Sequence, residues 1–205
     1  MLSLPQDELI AGLVAISFAA GLNVYATVAT LGLLSHAGLF SLPANLHVLG
    51  SWYVIAASLV LFAIEFFADK IPFFDLIWNA LHTFIRVPLA ALVAYRAAAP
   101  LQPWEQIAVA VIGGSIALAA HGGKTAARAA VTPSPEPLSN TALSVGEDVL
   151  AVSLTWIATR HPFIAAGIVV VLLVIIVLLI RWVVRSLRAL FRGAGREWSE
   201  HTSAV

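Results

Sequence analysis

The sequence predicts an all-α, polytopic membrane protein of about six transmembrane helices. Three observations carry that expectation. Of 205 residues 60% are hydrophobic and only 11% charged, against roughly a quarter charged in soluble domains. From Phe163 to Ile180 every residue is apolar or glycine, long enough to cross a bilayer. The ionisable residues of the remaining segments recur at helical spacing, as they do when they share a buried face. The formal charge is zero, and Arg181, Arg185, Arg188, Arg192 and Arg196 crowd the carboxy-terminal end, an asymmetry that bears on topology rather than on nucleic acid. There are no cysteines, which excludes disulfides, thiolate nucleophiles and cysteine-bound metal.

The first helix is expected over Leu9–Leu34, with Gly21 and Asn23 in its middle. Asp7 and Glu8 stand where a secretory signal carries basic residues, so this segment is expected to be retained. Ser35–Gly50 reads as a loop, from Gly38, Pro43 and Gly50. The second helix covers Trp52–Ala68 and ends near Asp69 or Lys70, because Pro72 has no amide hydrogen and disfavours helical angles at Ile71. Asp75 is then placed to cap a third helix that runs to Ala97 and kinks at Pro88. Pro100 and Pro103 break the chain before a fourth helix, Trp104–Ala130, whose Gly113, Gly114, Gly122 and Gly123 permit close helix contact. Thr132–Asn140, TPSPEPLSN, reads as an extended loop, Thr141–Thr159 as the fifth helix, and Phe163 onward as the sixth. Residues 1–192 thus form one helical domain, and 193–205 a cytoplasmic tail expected to fray. With both termini in the cytoplasm, only Arg96 and Arg160 among the basic residues fall outside, so N-in and C-in is the expected topology of this inner-membrane, multi-pass chain.

Ala68–Phe74 and Ala158–Ile164 match at Ala, a basic residue, Pro and Phe, with a weaker echo between Ser35–Gly38 and Ala120–Gly123. They suggest a 3+3 inverted repeat with halves 9–97 and 104–191, a plan common in secondary transporters. The alternative is coincidence between two proline-ended apolar segments.

The polar residues fall on four helix faces. Glu65 and Asp69 are four apart, followed by Lys70. Asp75, Trp78, Asn79, His82 and Arg86 are spaced i, i+3, i+4, i+7 and i+11. His121, Lys124 and Arg128 form a basic face, and Asn140, Ser144, Glu147 and Asp148 a polar, acidic one. Five acids face four bases, and in the expected topology all lie toward the cytoplasmic half, where they can converge. Structural readings compete: Asp75 as an N-cap, Ser144 with Glu147 as a capping box, Lys70, Lys124 and Arg128 as positive-inside residues, and Arg86 in a purely structural pair with Glu65 or Glu147. Four complementary faces in one bundle favour the functional reading.

The motifs GLNxYA (Gly21–Ala26), ExxADKxPxxDxxWxxxHxFxR (Glu65–Arg86), HxxKxxxR (His121–Arg128), SPEPxSN (Ser134–Asn140) and SxxED (Ser144–Asp148) resemble those of an uncharacterised bacterial integral-membrane family known as a domain of unknown function. The resemblance covers about Gly12 to Arg188 and implies a small polytopic membrane protein without an assigned activity.

The expected function is a small ion- or proton-coupled secondary transporter, acting as a homo-oligomer on a small ion or anionic molecule. Its expected site comprises the four faces together with Asn23 and Tyr25. Glu65, Asp69 and Glu147 or Asp148 carry the proton or cation, His82 and His121 relay protons, and Arg86, Lys124 and Arg128 hold an anion or close the site. No cofactor is expected on this reading. A second reading is a membrane-embedded enzyme acting on a lipid head group, with Asp69, Asp75, Glu147 and Asp148 as ligands of a divalent cation. A third is a non-catalytic membrane subunit whose charges orient a partner.

Overall fold

A computed structural model describes residues 5–69, 72–131 and 137–203. Among them are helices and no strands: α1 (Gln6–Leu22), α2 (Val24–His36), α3 (Trp52–Ala68), α4 (Pro72–Ala97), α5 (Pro103–Val131), α6 (Pro137–Arg160) and α7 (Pro162–Ser203), with a 3₁₀ segment at Ala44–Gly50. Prolines open α4, α5, α6 and α7. The first helical position suits proline, whose missing N–H is an orphan there anyway and whose φ is already helical. Each of these helices therefore starts one to four residues earlier than expected. Asp75 lies inside the first turn of α4 rather than at its cap. The end of TPSPEPLSN, from Pro137, is helical, while residues 132–136 lie outside the described residues. The segment expected to fray continues α7 as far as Ser203.

The largest departure is at Asn23, which divides the expected first span. Its backbone is extended (φ −150°, ψ 103°), and its side-chain oxygen accepts a hydrogen bond from the Ala26 N–H at 2.9 Å, capping α2. Asparagine is among the strongest N-caps, and one such residue redirects a chain whose apolar pattern continues on both sides. The chain then doubles back. A Cβ on Gly12 would lie 3.7 Å from the Ala158 carbonyl and from Pro162, one on Gly21 would run into Ala117, and one on Gly32 would strike the Leu49 carbonyl and Ile55. The start of α1 and the end of α2 thus share one end of the bundle with the α4–α5 and α6–α7 turns. A cavity of about 160 Å³ at that end is lined by Leu9, Leu42, Val93 and Arg160. Asn23 is the tip of a helical hairpin reaching toward the opposite end, where the end of α3, the start of α4, the end of α5, the start of α6 and the far part of α7 lie. Gln6 and Ser203 are consequently at opposite ends of the bundle.

Helix α1 is the centre of the bundle, packed by α2, α4, α5, α6 and α7. Past its exposed first residues it is buried on most sides, and from Ala11 to Leu22 only Ser17 is polar, as befits a helix surrounded by neighbours. Ala15, Phe18, Ala19 and Leu22 join Ala120, Leu154, Ala165 and Val169 in one core, while Leu13 and Leu31 meet Leu42, Leu46 and Val93 in another. Three described segments are long and apolar enough to cross a membrane, Pro103–Arg128, Thr141–Arg160 and Pro162–Ser186, and a fourth results if the bent pair Ala44–Gly50 and Trp52–Ala68 is one span. The two sequence halves are built differently: the first opens with the hairpin, the second with the unbroken α5. His36 ends α2 whereas His121 sits mid-helix, so their sequence echo has no structural counterpart.

Gly21 and Gly122 offer a controlled test of the α1–α5 contact. A Cβ on Gly21 would approach the Ala117 carbonyl oxygen to 2.4 Å and its Cα to 2.7 Å, whereas one on Gly122 meets nothing within 4 Å. Gly21→Ala is expected to lower stability by about 1–3 kcal/mol through overpacking. Gly122→Ala is expected to be neutral or to stabilise by roughly 0.5–1 kcal/mol through helix propensity. Thermal unfolding of the purified variants in detergent measures both.

Candidate functional site

The hairpin tip ends in a buried network of charged and polar groups drawn from four neighbouring helices. Helical spacing sets each contribution: Glu65 is one turn before Asp69, the residue that ends α3; His82 and Arg86 are one turn apart on α4; His121, Lys124 and Arg128 line one face of α5; Ser144, Glu147 and Asp148 line α6. At 1.5 Å per residue Glu65 lies roughly 20 Å along α3 from Trp52, and Asp148 roughly 18 Å along α6 from Arg160. The network therefore sits past the middle of the bundle, toward the α3–α4 end.

Arg86 and Glu65 are both fully buried, and Arg86 Nη2 pairs directly with Glu65 Oε1. Arg86 Nη1 lies 3.1 Å from His121 Nδ1. A guanidinium can only donate, so Nδ1 is the acceptor, and the proton of the neutral His121 ring is on Nε2, which donates to Thr83 Oγ1 at 2.7 Å. The same reasoning fixes His82. Its Nδ1 donates to the Trp78 carbonyl at 2.7 Å, leaving neutral Nε2 to accept from the Tyr25 hydroxyl at 2.9 Å. Neither ring can take a second proton without replacing the bond at its accepting nitrogen. That qualifies the expectation that His82 and His121 relay protons: a relay through either ring would require its partner to move.

Lys124 Nζ contacts Asp69 Oδ2 and Glu147 Oε2 at 3.1 Å each and lies 3.8 Å from Glu65 Oε1. Arg128 Nη2 reaches the same two acids, at 2.9 Å and 3.3 Å. Asp69 Oδ2 also accepts from the Ser144 hydroxyl at 3.3 Å. Asp148 stands apart. It accepts from the Asn23 amide, Nδ2 to Oδ1 at 2.8 Å, and is absent from the ion pairs. Glu65 Oε2, Asp69 Oδ1 and Asp148 Oδ2 are buried carboxylate oxygens with no hydrogen-bond partner. Among the described side chains four acids (Glu65, Asp69, Glu147, Asp148) meet three bases (Arg86, Lys124, Arg128).

The structure thus brings together Asn23, Tyr25, Glu65, Asp69, Trp78 and His82 with Arg86, His121, Lys124, Arg128, Ser144, Glu147 and Asp148. Lys70 lies outside the described residues, as do the side chains of Asp75, Asn79 and Asn140. Thr83 is a member that sequence reasoning missed, because a lone hydroxyl beside a histidine carries no charge or spacing signal. The acids and bases close on one another directly, and the three described cavities are lined by other residues. Among the described residues no three His, Asp or Glu side chains are grouped to hold a metal ion. Asp69 and Glu147, candidates for a divalent cation, are engaged instead by Lys124 and Arg128.

Residues 10–182 match the family described as Domain of unknown function (DUF4126). The chain belongs to this family. Its boundaries enclose the hairpin tip, all the described residues of the network and most of the membrane-length part of α7, so the site lies within the DUF4126 region. No curated protein matches the chain, and no solved structure does.

Because Glu65 and Arg86 are wholly buried, removing one partner strands the other. Arg86→Met is expected to destabilise the protein by about 3–5 kcal/mol, and the double variant Glu65→Leu/Arg86→Met to recover most of that loss. A double-mutant cycle by thermal unfolding reads the coupling directly.

Proposed function

We propose that the chain is a small ion- or proton-coupled secondary transporter of the cytoplasmic membrane, with the polar network as its coupling site. The observation that carries this reading is the helical hairpin whose tip, Asn23, ends among ionisable groups of α3, α4, α5 and α6. Burying six Asp, Glu, Lys and Arg side chains, with Glu147 half-buried beside them, is a costly way to hold a helical scaffold together, since well-packed apolar residues serve at least as well. Broken helices that end at intramembrane polar sites are a recurring device for binding an ion at depth. The site in this state is closed by Glu65–Arg86 and by Lys124 and Arg128 bridging Asp69 and Glu147. Exchange of these partners for a proton, an ion or an anionic substrate is the event that opens it.

The basic residues orient the assembly. Lys124, Arg128 and the arginines of α7 share one end of the bundle, and Arg96 and Arg160 mark the other, which supports a cytoplasmic position for the network end. With the hairpin entering and leaving on the outer side, α3 to α7 make five crossings, the start of α1 is outside, and the carboxy terminus is inside. This replaces six crossings with both termini in.

The natural chain has no cysteine, so single cysteines report topology without background. Asp7→Cys and Gln102→Cys are expected to react with a membrane-impermeant maleimide in intact cells, and Ser199→Cys only after permeabilisation. Protection of Asp7→Cys while Gln102→Cys is labelled refutes the hairpin topology. For transport, pyranine-loaded proteoliposomes are challenged with membrane-impermeant anions, inorganic phosphate and di- and tricarboxylates. At least one is expected to drive protein-dependent change of internal pH, reduced tenfold or more by Glu65→Gln and by Arg86→Ala. Flux and pH dependence that survive both substitutions refute the assignment.

A further inference from the structure

Asp148 is set apart from the other acids of the network. Glu65, Asp69 and Glu147 each have a guanidinium or ammonium within 4 Å, whereas the hydrogen-bond partner of Asp148 is a neutral amide. Its residue is 7% exposed, and Oδ2 is buried without a partner. The charged groups acting on it are Lys124 from α5, Glu65 and Asp69 from the end of α3 and the adjacent Glu147 on its own helix, and Asn23 covers it from the hairpin. Three anions and one shared cation are poor company for a fourth carboxylate. Buried unpaired charge in a membrane segment is neutralised rather than tolerated.

We infer that Asp148 is the proton-binding carboxyl of the site, protonated on Oδ2 in this closed state, and that the driving ion is the proton. This rests on the transporter reading above and names its coupling ion. On protonation one O–H bond forms at Oδ2 and the carboxylate charge is cancelled, so among the described side chains four acids against three bases become three against three. The geometry disfavours a metal cation as the occupant. A cation needs several oxygen ligands, but Asn23 turns its amide NH₂ to Asp148 while its oxygen is committed to the Ala26 N–H. A carboxylic acid fits: Oδ1 is the carbonyl that accepts from Asn23, and Oδ2 carries the proton. Loss of that proton makes Asp148 a competitor for Lys124, which at present bridges Asp69 and Glu147.

Hydrogen–deuterium-sensitive infrared spectroscopy of the full chain in lipid nanodiscs tests this. A carboxylic acid C=O band is expected at neutral pH in the natural protein and in Glu65→Gln, and lost in Asp148→Asn. Asn23→Ser, which keeps a capping oxygen but deletes the amide donor, is expected to retain the band and shift it to higher frequency; this variant carries the test if Asp148→Asn fails to fold. Absence of the band, its persistence in Asp148→Asn, or an unshifted band in Asn23→Ser overturns the inference. So does sodium-dependent thermal stabilisation with no carboxyl band, which assigns a cation instead. Because the band needs no substrate, its presence without proteoliposome flux would refute transport and leave the proton site standing, while flux without the band does the reverse.

Discussion

The fold is constrained above all by the need to keep Arg86 and Glu65 together. Both are wholly buried, and the idealised cost of moving one such ion from water into a low-dielectric interior is of order 20 kcal/mol before relaxation. A single close pair does not satisfy a guanidinium with five donors, so Arg86 also needs His121, and His121 in turn needs Thr83 on the far nitrogen. That chain ties α3 to α4 and α4 to α5 in a fixed register. Lys124 and Arg128, one and two turns further along α5, then fall beside Asp69 and Glu147, which brings in α6. Four helices are held by contacts that tolerate no slippage by a turn, because each slip would leave a charge unpaired.

Such a network requires close approach of backbones, and the small residues of α1 and α5 supply it. A side chain at Gly21 would collide with Ala117 and Ala120, and one at Gly113 with Ser17 and Ala94. In a bilayer, where lipid tails are as apolar as leucine, such contacts rather than hydrophobic burial drive helix association. Hence the buried face of α1 is rich in alanine and glycine while the outward face of α7 carries Val170, Val174 and Leu178 in exposed positions. The packing stripe and the polar network are complementary: the first positions the second.

The network was largely legible in the sequence and the hairpin was not, for a physical reason. Ionisable residues are rare in apolar segments, so their spacing stands out, and the i, i+4 relations of Glu65 with Asp69, His82 with Arg86 and Lys124 with Arg128 translate directly into shared faces. Hydropathy, however, carries no direction. The mainly apolar residues from Leu9 to Leu34 read the same whether they cross a bilayer or enter and return, and the difference depends on one capping side chain at Asn23. Proline is ambiguous in the same way: Pro72 and Pro103 signal that one helix stops, and each also begins the next.

Asn23 links the two halves of this description. Its oxygen holds the first turn of α2, and its nitrogen holds Asp148 of α6. Tyr25, two residues on, reaches His82 of α4. With Asp148 protonated as inferred, the hairpin tip is fastened to two helices of the network by neutral hydrogen bonds, each worth about 1 kcal/mol net, while the helices are fastened to one another by ion pairs that are much costlier to break singly. On the transporter reading proposed above, a change of charge at Asp148 makes the weak fastenings yield before the strong ones. The hairpin tip is on that reading the part that moves, and the ion-paired helices are the frame against which it moves. Rigid-body displacement of one helical unit against another around a fixed polar site is the general form of alternating access. Here the division between moving part and frame follows from which contacts carry charge on both sides.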